Sequence, residues 1–550
     1  MIMVASRRNP YIIGRPVNEP DRFFDREPLL EFIADSLSQK APVILLHGQR
    51  RIGKSSVLAQ IPHWLQAEPF TFIALSLEGK SHKCLPEVLH DLAKETLQSL
   101  DCLNRVPIVP SITELKENPG SFNRFLENLS TCCDRPELVL LLDEFDTLGN
   151  YQPDAAAYHL FPFLAETIQQ QRFLHIIPVV GRRLEDLPTL ISLFKSAPSQ
   201  EIGLLDRAIT TQLITQPAQG ILHYAEDAIT AIFDLCAGHP YFTQVICFAI
   251  FTQARQDDRW EVTAEDVYRV VDRAIELGEG GLVWFWDGLP IAERVLYSAA
   301  AEVAEKSSTG VDANPTIREG DPLALLEEWG VSLTDCLHKA QQNLIEWKFL
   351  KRIKKAESPE TVSRGTYKIT IELVRRWLVR QHSIRDEIWE LENLNPELKS
   401  LYEEGRDRRY QGELSEAISL YERVLAENPN YFSSLFELAD CLLHTKAYAY
   451  ALTLFDRAYY VDPFRAREGL MRSGLGHAKT LMERSQIAEA EKVLDRLLEM
   501  DAENPEVRSF LAEIAAQKTQ TLQIQQSWGK FIPEWKWNLS KQSSELPPQD

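Results

Sequence analysis

The sequence has little that would place it in a membrane or in an oxidising compartment. It contains 8 cysteines in 550 residues and no Cys-x-x-Cys pair, so neither a disulfide framework nor a structural zinc site is expected. No apolar run approaches the roughly 18–20 residues that span a bilayer. The arginines near the amino terminus are not followed by an apolar stretch, so no signal peptide is expected. The prediction is a cytoplasmic protein without membrane contact.

The sequence also has fewer positively charged than negatively charged residues. There are 59 Lys and Arg residues against 80 Asp and Glu residues, a net charge of −21. This balance excludes binding of nucleic acid or anionic lipid over the whole surface, although one local basic patch remains compatible with it. The apolar share of 44% is ordinary for a globular protein. At roughly 100–200 residues per domain, the length predicts several domains.

The first 205 residues alternate short apolar runs with helical patterns. Four runs are clear and a fifth is a candidate, at residues 43–47, 70–77, 138–142, 173–180 and 202–205. Apolar strands separated by helices are typical of a parallel sheet that is covered on both faces. The prediction for this part is an α/β fold with a five-stranded parallel sheet.

The remainder of the chain has a different organisation. Residues 206–280 show a helical pattern, and further helices then precede two strand candidates at 344–353 and 367–371. Helices followed by a hairpin are typical of a winged helix. The predicted domains are an N-terminal lead, an α/β core, a helical domain, a winged helix, an all-α repeat solenoid and a tail, at residues 1–20, 21–205, 206–280, 281–392, 395–517 and 518–550.

The carboxyl-terminal part contains an internal repeat. A small residue, an aromatic residue and a proline recur with a spacing of 34 residues, at Ala417, Tyr421 and Pro429 and then at Ala451, Phe455 and Pro463. A looser third copy begins at Ala490. The pattern resembles tetratricopeptide repeats, which pack two antiparallel helices per repeat. We expect each proline to end a second helix, because proline cannot continue one, and the repeats to bind a protein or peptide.

A phosphate-binding loop follows the first predicted strand. The sequence fits Gly-x-x-x-x-Gly-Lys-Ser, with the candidate nucleotide-binding residues Gly48, Gln49, Arg50, Arg51, Ile52, Gly53, Lys54, Ser55 and Ser56. The glycines allow backbone N–H groups to close around phosphate oxygens, and the following helix adds positive potential. We expect Lys54 to contact the β- and γ-phosphates and the Ser55 hydroxyl to bind Mg²⁺.

A second element supports this site. The third predicted strand is purely aliphatic and ends in Asp143 and Glu144. In a phosphoryl-transfer site the first carboxylate holds Mg²⁺ and the second polarises the attacking water. The fourth predicted strand ends in Gly181 and Arg182, where a cation would lie at the same sheet edge. The predicted catalytic residues are therefore Lys54, Asp143, Glu144 and Arg182.

These motifs together resemble the signal-transduction ATPases with numerous domains, a branch of the AAA+-like P-loop NTPases. The resemblance also includes an N-terminal motif, Asn9-Pro10-Tyr11 with Phe23-Phe24-Asp25-Arg26-Glu27, and the segment Gly238-His239-Pro240-Tyr241. It departs from the family at Asp25, where glycine is usual. The resemblance implies that Arg26 lies beside the adenine and that Pro240, in a helical lid, packs on the base.

The resemblance implies a function as well. ADP would hold the lid and winged helix closed, ATP with Mg²⁺ would enter the open form, and open protomers would form a homo-oligomer. Hydrolysis of ATP would be slow and regulatory. No effector domain is visible in the sequence, so a separate effector protein is the expected output partner.

Two alternatives remain open. The predicted wing is basic, with Lys348, Lys351, Arg352, Lys354, Lys355, Arg375 and Arg376 in or after the hairpin. Such a stripe is compatible with an AAA+-like ATPase that binds DNA, although a basic stripe alone is a weak signal. The other alternative is a repeat scaffold that binds ATP without hydrolysing it.

Overall fold

The structure is a computed structural model, and it describes residues 8–66, 68–80, 82–99, 107–132, 137–145, 156–181, 196–309, 320–354 and 366–529. The chain divides into two compact units. The first comprises Met1–Thr309 with Ala340–Ser383, and the second comprises Gly310–Lys339 with Ile384–Asp550.

The first unit is built on a five-stranded parallel sheet in the order β2-β3-β4-β1-β5. Its strands are β1 Leu45–His47, β2 Phe70–Ser76, β3 Glu137–Asp143, β4 Leu174–Val180 and β5 Ser199–Glu201. α1 Glu27–Ser38 precedes β1. Among the described residues, the helices between the strands are α2 Lys54–Trp64, α3 Leu85–Ser99, α4 Ile112–Glu117, α5 Ser121–Cys132 and α6 Ala156–Gln170. The predicted five-stranded parallel sheet is confirmed.

The sheet is buried on both faces because its central strands are apolar throughout. In β3, Leu138, Leu140 and Leu142 belong to one apolar layer, whereas Val139 and Leu141 belong to the other. This alternation follows from the two-residue period of a strand. Helices α1 and α2 cover one face, and α3 to α6 cover the other. The central position of β3 fixes the carboxylates at its carboxyl end.

The predicted position of the fifth strand is wrong. The apolar segment 202–205 was expected to form it, but β5 is the exposed polar segment Ser199–Glu201. An edge strand pairs on one side only, so it does not need apolar side chains to be stable in the sheet. Ile202 follows the strand, donates its N–H to the carbonyl oxygen of His47 at 2.7 Å and packs under the phosphate loop.

A helical region with one short strand pair follows the sheet. It comprises α7 Arg207–Thr215, β6 His223–Tyr224, α8 Glu226–Cys236, α9 Pro240–Asp257, β7 Glu261–Val262, α10 Ala264–Arg269, α11 Val271–Asp287 and α12 Ile291–Thr309. Proline at the first position of α9 matches the preference of that position for a residue without an N–H donor. The turn before α9 brings Gly238 close to Leu205, where a Cβ would lie 2.0 Å from the carbonyl oxygen.

An antiparallel hairpin and a helix complete the first unit. The strands are β8 Leu350–Lys354 and β9 Thr366–Ile369, followed by α15 Glu372–Gln381. Of the helices that precede them in the chain, α13 Pro322–Glu328 belongs to the second unit and α14 Asp335–Glu346 leads into β8. The expected start of the first strand at residue 344 is wrong, because α14 continues to Glu346. Lys348 adopts a left-handed backbone with φ +61° and turns the chain into β8.

The second unit consists of stacked helices. After the short α16 Ile384–Glu387 and a 3-10 segment Ile388–Leu394, its helices are α17 Leu398–Tyr410, α18 Leu414–Glu427, α19 Phe432–His444, α20 Tyr448–Val461, α21 Pro463–Glu483, α22 Ile487–Met500 and α23 Pro505–Gly529. The predicted all-α repeat fold is confirmed. As expected, α18 and α20 end two residues before Pro429 and Pro463, at Glu427 and Val461. Pro463 also begins α21, where its missing N–H costs nothing.

Small residues allow the repeat helices to approach one another. A Cβ at Gly469 would lie 2.2 Å from the ring of Phe455, and one at Gly474 would lie 2.7 Å from Leu497.

A loop from earlier in the chain also packs in this unit. The buried side-chain amide of Asn430 accepts from the backbone N–H of Ser332 at 2.8 Å and donates to its carbonyl oxygen at 2.9 Å. Residues around Ser332 are therefore part of the repeat unit.

Over the described part of the chain, no helix combines the length and apolar character that crossing a bilayer would require.

Candidate nucleotide site

The phosphate loop joins the end of β1 to the first turn of α2. Arg51 and Gly53 have left-handed backbones, with φ +61° and +100°. This conformation costs a glycine nothing, and it turns the loop so that α2 begins at Lys54. Gly48 is needed for space, since a Cβ there would lie 2.5 Å from the carbonyl oxygen of Ile202. The loop therefore has the closely wound backbone that phosphate binding requires.

The Lys54 ammonium group lies over its own loop. It donates to the carbonyl oxygen of Gln49 at 2.8 Å and to that of Gly48 at 3.2 Å. Both acceptors belong to the loop that would surround a phosphate. The side chain is thus directed toward the phosphate position.

The two predicted carboxylates lie at the carboxyl end of β3. The backbone N–H of Glu144 donates to the Asp143 Oδ1 atom at 3.0 Å, and Glu144 has a left-handed backbone with φ +51°. Both side chains line the same cavity. β3 and β1 are separated in the sheet by β4 alone, so the acids lie at the same sheet edge as the phosphate loop.

One cavity of about 480 Å³ contains most of the predicted site. Its lining includes the predicted residues Arg26, Arg50, Arg51, Ile52, Gly53, Lys54, Ser55, Ser56, Asp143, Glu144 and Pro240. Gly48 and Gln49 do not line it. Arg182 lies outside the described residues, although the neighbouring Gly181 lines the cavity. Residues far apart in sequence are therefore brought together as the motifs predict.

The amino-terminal segment forms another wall of this cavity. Ile12, Arg15 and Val17 line it. The segment is fixed at one end by Tyr11, whose hydroxyl donates to the carbonyl oxygen of Ile214 at 2.5 Å. Near the other end the Val17 N–H donates to the Ser56 hydroxyl at 2.9 Å. The Ser56 hydroxyl therefore holds this wall against α2.

One cation of the cavity lining is largely buried, and a neutral imidazole is buried near it. The Arg26 guanidinium is largely buried and donates from Nη2 to the carbonyl oxygen of Gly203 at 2.7 Å. Burial lowers its pKa, and the neighbouring Asp25 opposes this shift. His239 is fully buried. Its burial, with the charges of Lys54 and Arg26 as smaller contributions, lowers its pKa to about 3, so this imidazole is neutral at physiological pH.

Two arginines of the phosphate loop lie on aromatic side chains of the helical region. The Arg51 Cζ atom is 5.6 Å from the centre of the Tyr241 ring and 5.5 Å from that of Trp284. The Arg50 Cζ atom lies 5.4 Å from the Trp284 ring, and its Nη1 donates to the Trp284 carbonyl oxygen at 3.3 Å. Tyr241 and Trp284 also line the cavity. The sequence motifs assigned no role to either of them.

The phosphate loop also contacts the segment between α14 and β8. Gln49 Nε2 donates to the carbonyl oxygen of Trp347 at 2.5 Å. The next residue, Lys348, forms an ion pair with Glu201 of β5 at 2.9 Å. Gln49 was predicted to bind nucleotide, but in the structure its side chain is directed to this segment. The loop is therefore linked both to the cavity and to the hairpin.

These residues fit a magnesium–nucleotide complex. The wound loop and Lys54 supply donors for phosphate oxygens, and Ser55 and Asp143 supply the hydroxyl and carboxylate oxygens that Mg²⁺ prefers. Mg²⁺ at nucleotide sites takes few protein ligands. Accordingly, the described residues contain no group of three or more His, Cys, Asp or Glu that could hold a metal ion.

Comparison with known protein families identifies the repeats in the carboxyl-terminal part of the chain. A family model for the tetratricopeptide repeat matches residues 402–466 and 475–521. No protein of curated function matches the sequence significantly. The carboxyl-terminal part of the chain thus carries tetratricopeptide repeats.

Solved structures with a similar arrangement cover about two thirds of the chain. A Walker-type ATPase of Pyrococcus abyssi is 19% identical, covers 66% of this chain and 98% of its own, and has a TM-score of 0.46. The Orc1 protein of Aeropyrum pernix, in complex with DNA, is 16% identical over 66% and 94%, with a TM-score of 0.36. The Holliday junction branch migration motor RuvB of Thermotoga maritima is 14% identical over 66% and 97%, with a TM-score of 0.32. At these values the likenesses carry no argument about function.

Proposed function

We propose that the protein is a nucleotide-gated switch of the signal-transduction ATPase type, which hydrolyses ATP slowly and senses a protein or peptide through its repeats. The observation that carries the proposal is the hydrogen bond from Gln49 to the carbonyl oxygen of Trp347. It joins the phosphate loop to the segment that leads into the hairpin. A change in the loop on exchange of ADP for ATP would therefore reach the hairpin directly.

In this proposal each residue at the phosphate end has a role. Lys54 and the loop N–H groups bind the phosphates. Ser55 and Asp143 hold Mg²⁺, which neutralises phosphate charge when bound. Glu144 accepts a proton from the attacking water, because it is the second carboxylate after the strand. Pro240 and the apolar residues of the amino-terminal wall enclose the base.

The switch requires two states whose balance responds to ligands. Moving a two-state balance from 1:99 to 99:1 takes about 10⁴-fold differential binding. Nucleotide exchange, contacts in a homo-oligomer and a ligand bound to the repeats would together supply this difference in binding between the two states. The output would pass to a separate effector protein.

The nucleotide content of the freshly purified protein tests this proposal. We expect near-stoichiometric ADP to be released on denaturation of the wild type, and none from Lys54→Ala. Lys94→Ala, on a helix covering the sheet, is the matched control and should retain the wild-type content. An empty wild-type site together with steady ATP turnover would contradict the switch and indicate a cycling ATPase.

A second candidate, a DNA-associated ATPase, is favoured by the hairpin. Lys351 of β8 lies directly opposite Lys368 of β9, and both are exposed. Like charges in directly paired positions destabilise an antiparallel pair, and a polyanion would relieve the repulsion. Fluorescence anisotropy with duplex DNA over a salt series tests this candidate. Binding that weakens with salt and is lost in Lys351→Glu would support it, whereas absence of salt-dependent binding would exclude it.

A further inference from the structure

Arg50 and Arg51 occupy different environments although they are neighbours in the phosphate loop. Arg50 is hydrogen-bonded to the Trp284 backbone as well as lying near its ring. Arg51 is exposed, and its guanidinium lies near the rings of Tyr241 and Trp284. Arg50 is therefore fixed to the helical region by a hydrogen bond, whereas the cation–π contacts of Arg51 can be replaced by a stronger interaction of its guanidinium.

The helical region is shaped to allow these contacts. A Cβ at Gly281 would lie 2.2 Å from the Tyr241 ring, and a Cβ at Gly288 would lie 2.6 Å from the Arg50 Nε atom. The adjacent Gly280 has no atom within 4 Å of its Cβ position. A side chain at position 281 or 288 would therefore displace Tyr241 or Arg50. The two glycines are thus a second observation, besides the ring distances, that the helical region accommodates these contacts.

The charges on these arginines remain available to an anion. Among the residues that the structure describes, no carboxylate forms an ion pair with Arg50 or Arg51. A charge-assisted hydrogen bond from a guanidinium to a phosphate is stronger than a cation–π contact at a partly exposed ring. A phosphate group could therefore draw Arg51 from the rings without first breaking an ion pair.

We propose that Arg51 recognises the third phosphate of a bound nucleotide, and that Tyr241 and Trp284 are positioning residues that hold its guanidinium ready. The inference rests on the nucleotide site proposed above. The loop N–H groups bind the first two phosphates and Lys54 reaches the second and third. A second cation at the third phosphate would match the charge that ATP carries beyond ADP. ATP would move Arg51 away from Trp284, and ADP would leave it there.

Binding measurements test the role of Arg51. ATP and ADP, each with Mg²⁺, would be titrated into the full-length protein carrying Glu144→Gln, so that ATP persists during the experiment. Adding Arg51→Gln should weaken ATP binding about ten-fold, and ADP binding less than about two-fold. Equal weakening of both nucleotides would overturn the proposal.

Tryptophan fluorescence tests the role of the rings. The emission of Trp284, obtained by subtracting the spectrum of Trp284→Phe, should change with ATP and not with ADP. Trp260→Phe is the matched control, because Trp260 lies in the same helical region with its Nε1 donating to Asp258 and is not part of the cavity lining. An identical response to both nucleotides would overturn the proposal.

A pair of substitutions separates positioning from a merely structural effect. Trp284→Phe keeps an aromatic face and should preserve the preference for ATP over ADP, whereas Trp284→Leu should reduce that preference as Arg51→Gln does. If Trp284→Leu does not fold, Arg51→Gln alone decides the question. Failure of the parent protein to bind either nucleotide would overturn the nucleotide site itself and this inference with it.

Discussion

The ammonium group of Lys348 lies 2.9 Å and 3.0 Å from the two carboxylate oxygens of Glu201. Lys348 stands in the turn between α14 and β8, and Glu201 is the last residue of the edge strand β5. Because β5 pairs with β1, which leads into the phosphate loop, the ion pair fastens the hairpin segment beside the nucleotide site. Both side chains are about half exposed, so the contact is weak enough to be broken in a switch.

Reversal of one charge in this ion pair should speed release of ADP. For Lys348→Glu or Glu201→Lys we expect a rate about two- to five-fold above the wild-type value, because an exposed ion pair contributes about 0.2–1 kcal/mol. Stopped-flow release of a fluorescent ADP derivative measures this rate. The double variant exchanges the two charges and should return to the wild-type value. Additive acceleration in the double variant would contradict the contact.

Substitution of Glu144 by glutamine should separate binding from hydrolysis. The amide has nearly the shape of the carboxylate but cannot accept a proton, so turnover should fall by about 10²-fold or more. The affinity for ATP should remain close to that of the wild type. Phosphate release and equilibrium binding check the two expectations. Unchanged turnover would favour the scaffold that binds ATP without hydrolysing it.

Stability should depend on pH through His239. The folded protein keeps this imidazole neutral, with a pKa of about 3, whereas the unfolded chain takes up a proton below pH of about 6.5. The unfolded state therefore binds more protons between these values, and the free energy of unfolding falls as pH decreases. The slope from one such group is at most about 1.4 kcal/mol per pH unit.

Urea unfolding between pH 6.5 and 4.5 measures this dependence. His239→Gln should flatten the dependence, since glutamine does not titrate. The exposed His63 gives a matched control, and His63→Gln should leave the slope unchanged. The assignment to His239 would be refuted by equal slopes in the wild type and in His239→Gln.

Adjacent glycines in α11 should respond oppositely to alanine. Gly281→Ala places a methyl group 2.2 Å from the Tyr241 ring, and the forced movement should cost about 1–3 kcal/mol. Gly280→Ala meets open space and should stabilise the helix by up to about 1 kcal/mol. Thermal unfolding of the two variants gives the comparison. A similar change in the thermal stability of both variants would show that the Tyr241 ring moves aside without loss of stability.

The sequence predicted the parts of the site that are local. The wound loop before Lys54 and the aliphatic strand before Asp143 each contain the residues that their chemistry needs. Their presence at one sheet edge follows from the parallel order of the strands. The repeats were predictable for the same reason, because their spacing recurs along the chain.

The parts that were missed depend on tertiary packing. Trp284 faces the phosphate loop because α11 packs beside it, and no periodicity marks that contact. Gln49 belongs to the motif, yet its side chain is directed to the Trp347 carbonyl oxygen. The fifth strand was misplaced because an edge strand carries no apolar signature. In each case the position depends on contacts between parts of the chain that are distant in sequence.

The residues near Ser332 affect how this chain can be dissected. In the repeat unit, Asn430 bonds to the backbone of Ser332, and Arg457 donates to the carbonyl oxygen of Gly330 at 2.7 Å. A fragment that starts at residue 395 would leave these buried groups unpaired, at about 1–3 kcal/mol for each. Such a fragment would be complemented by a separate peptide spanning 320–339, as the two pieces of a split protein reassociate. The repeats are therefore a discontinuous folding unit, and their excision calls for a circular permutation rather than a simple truncation.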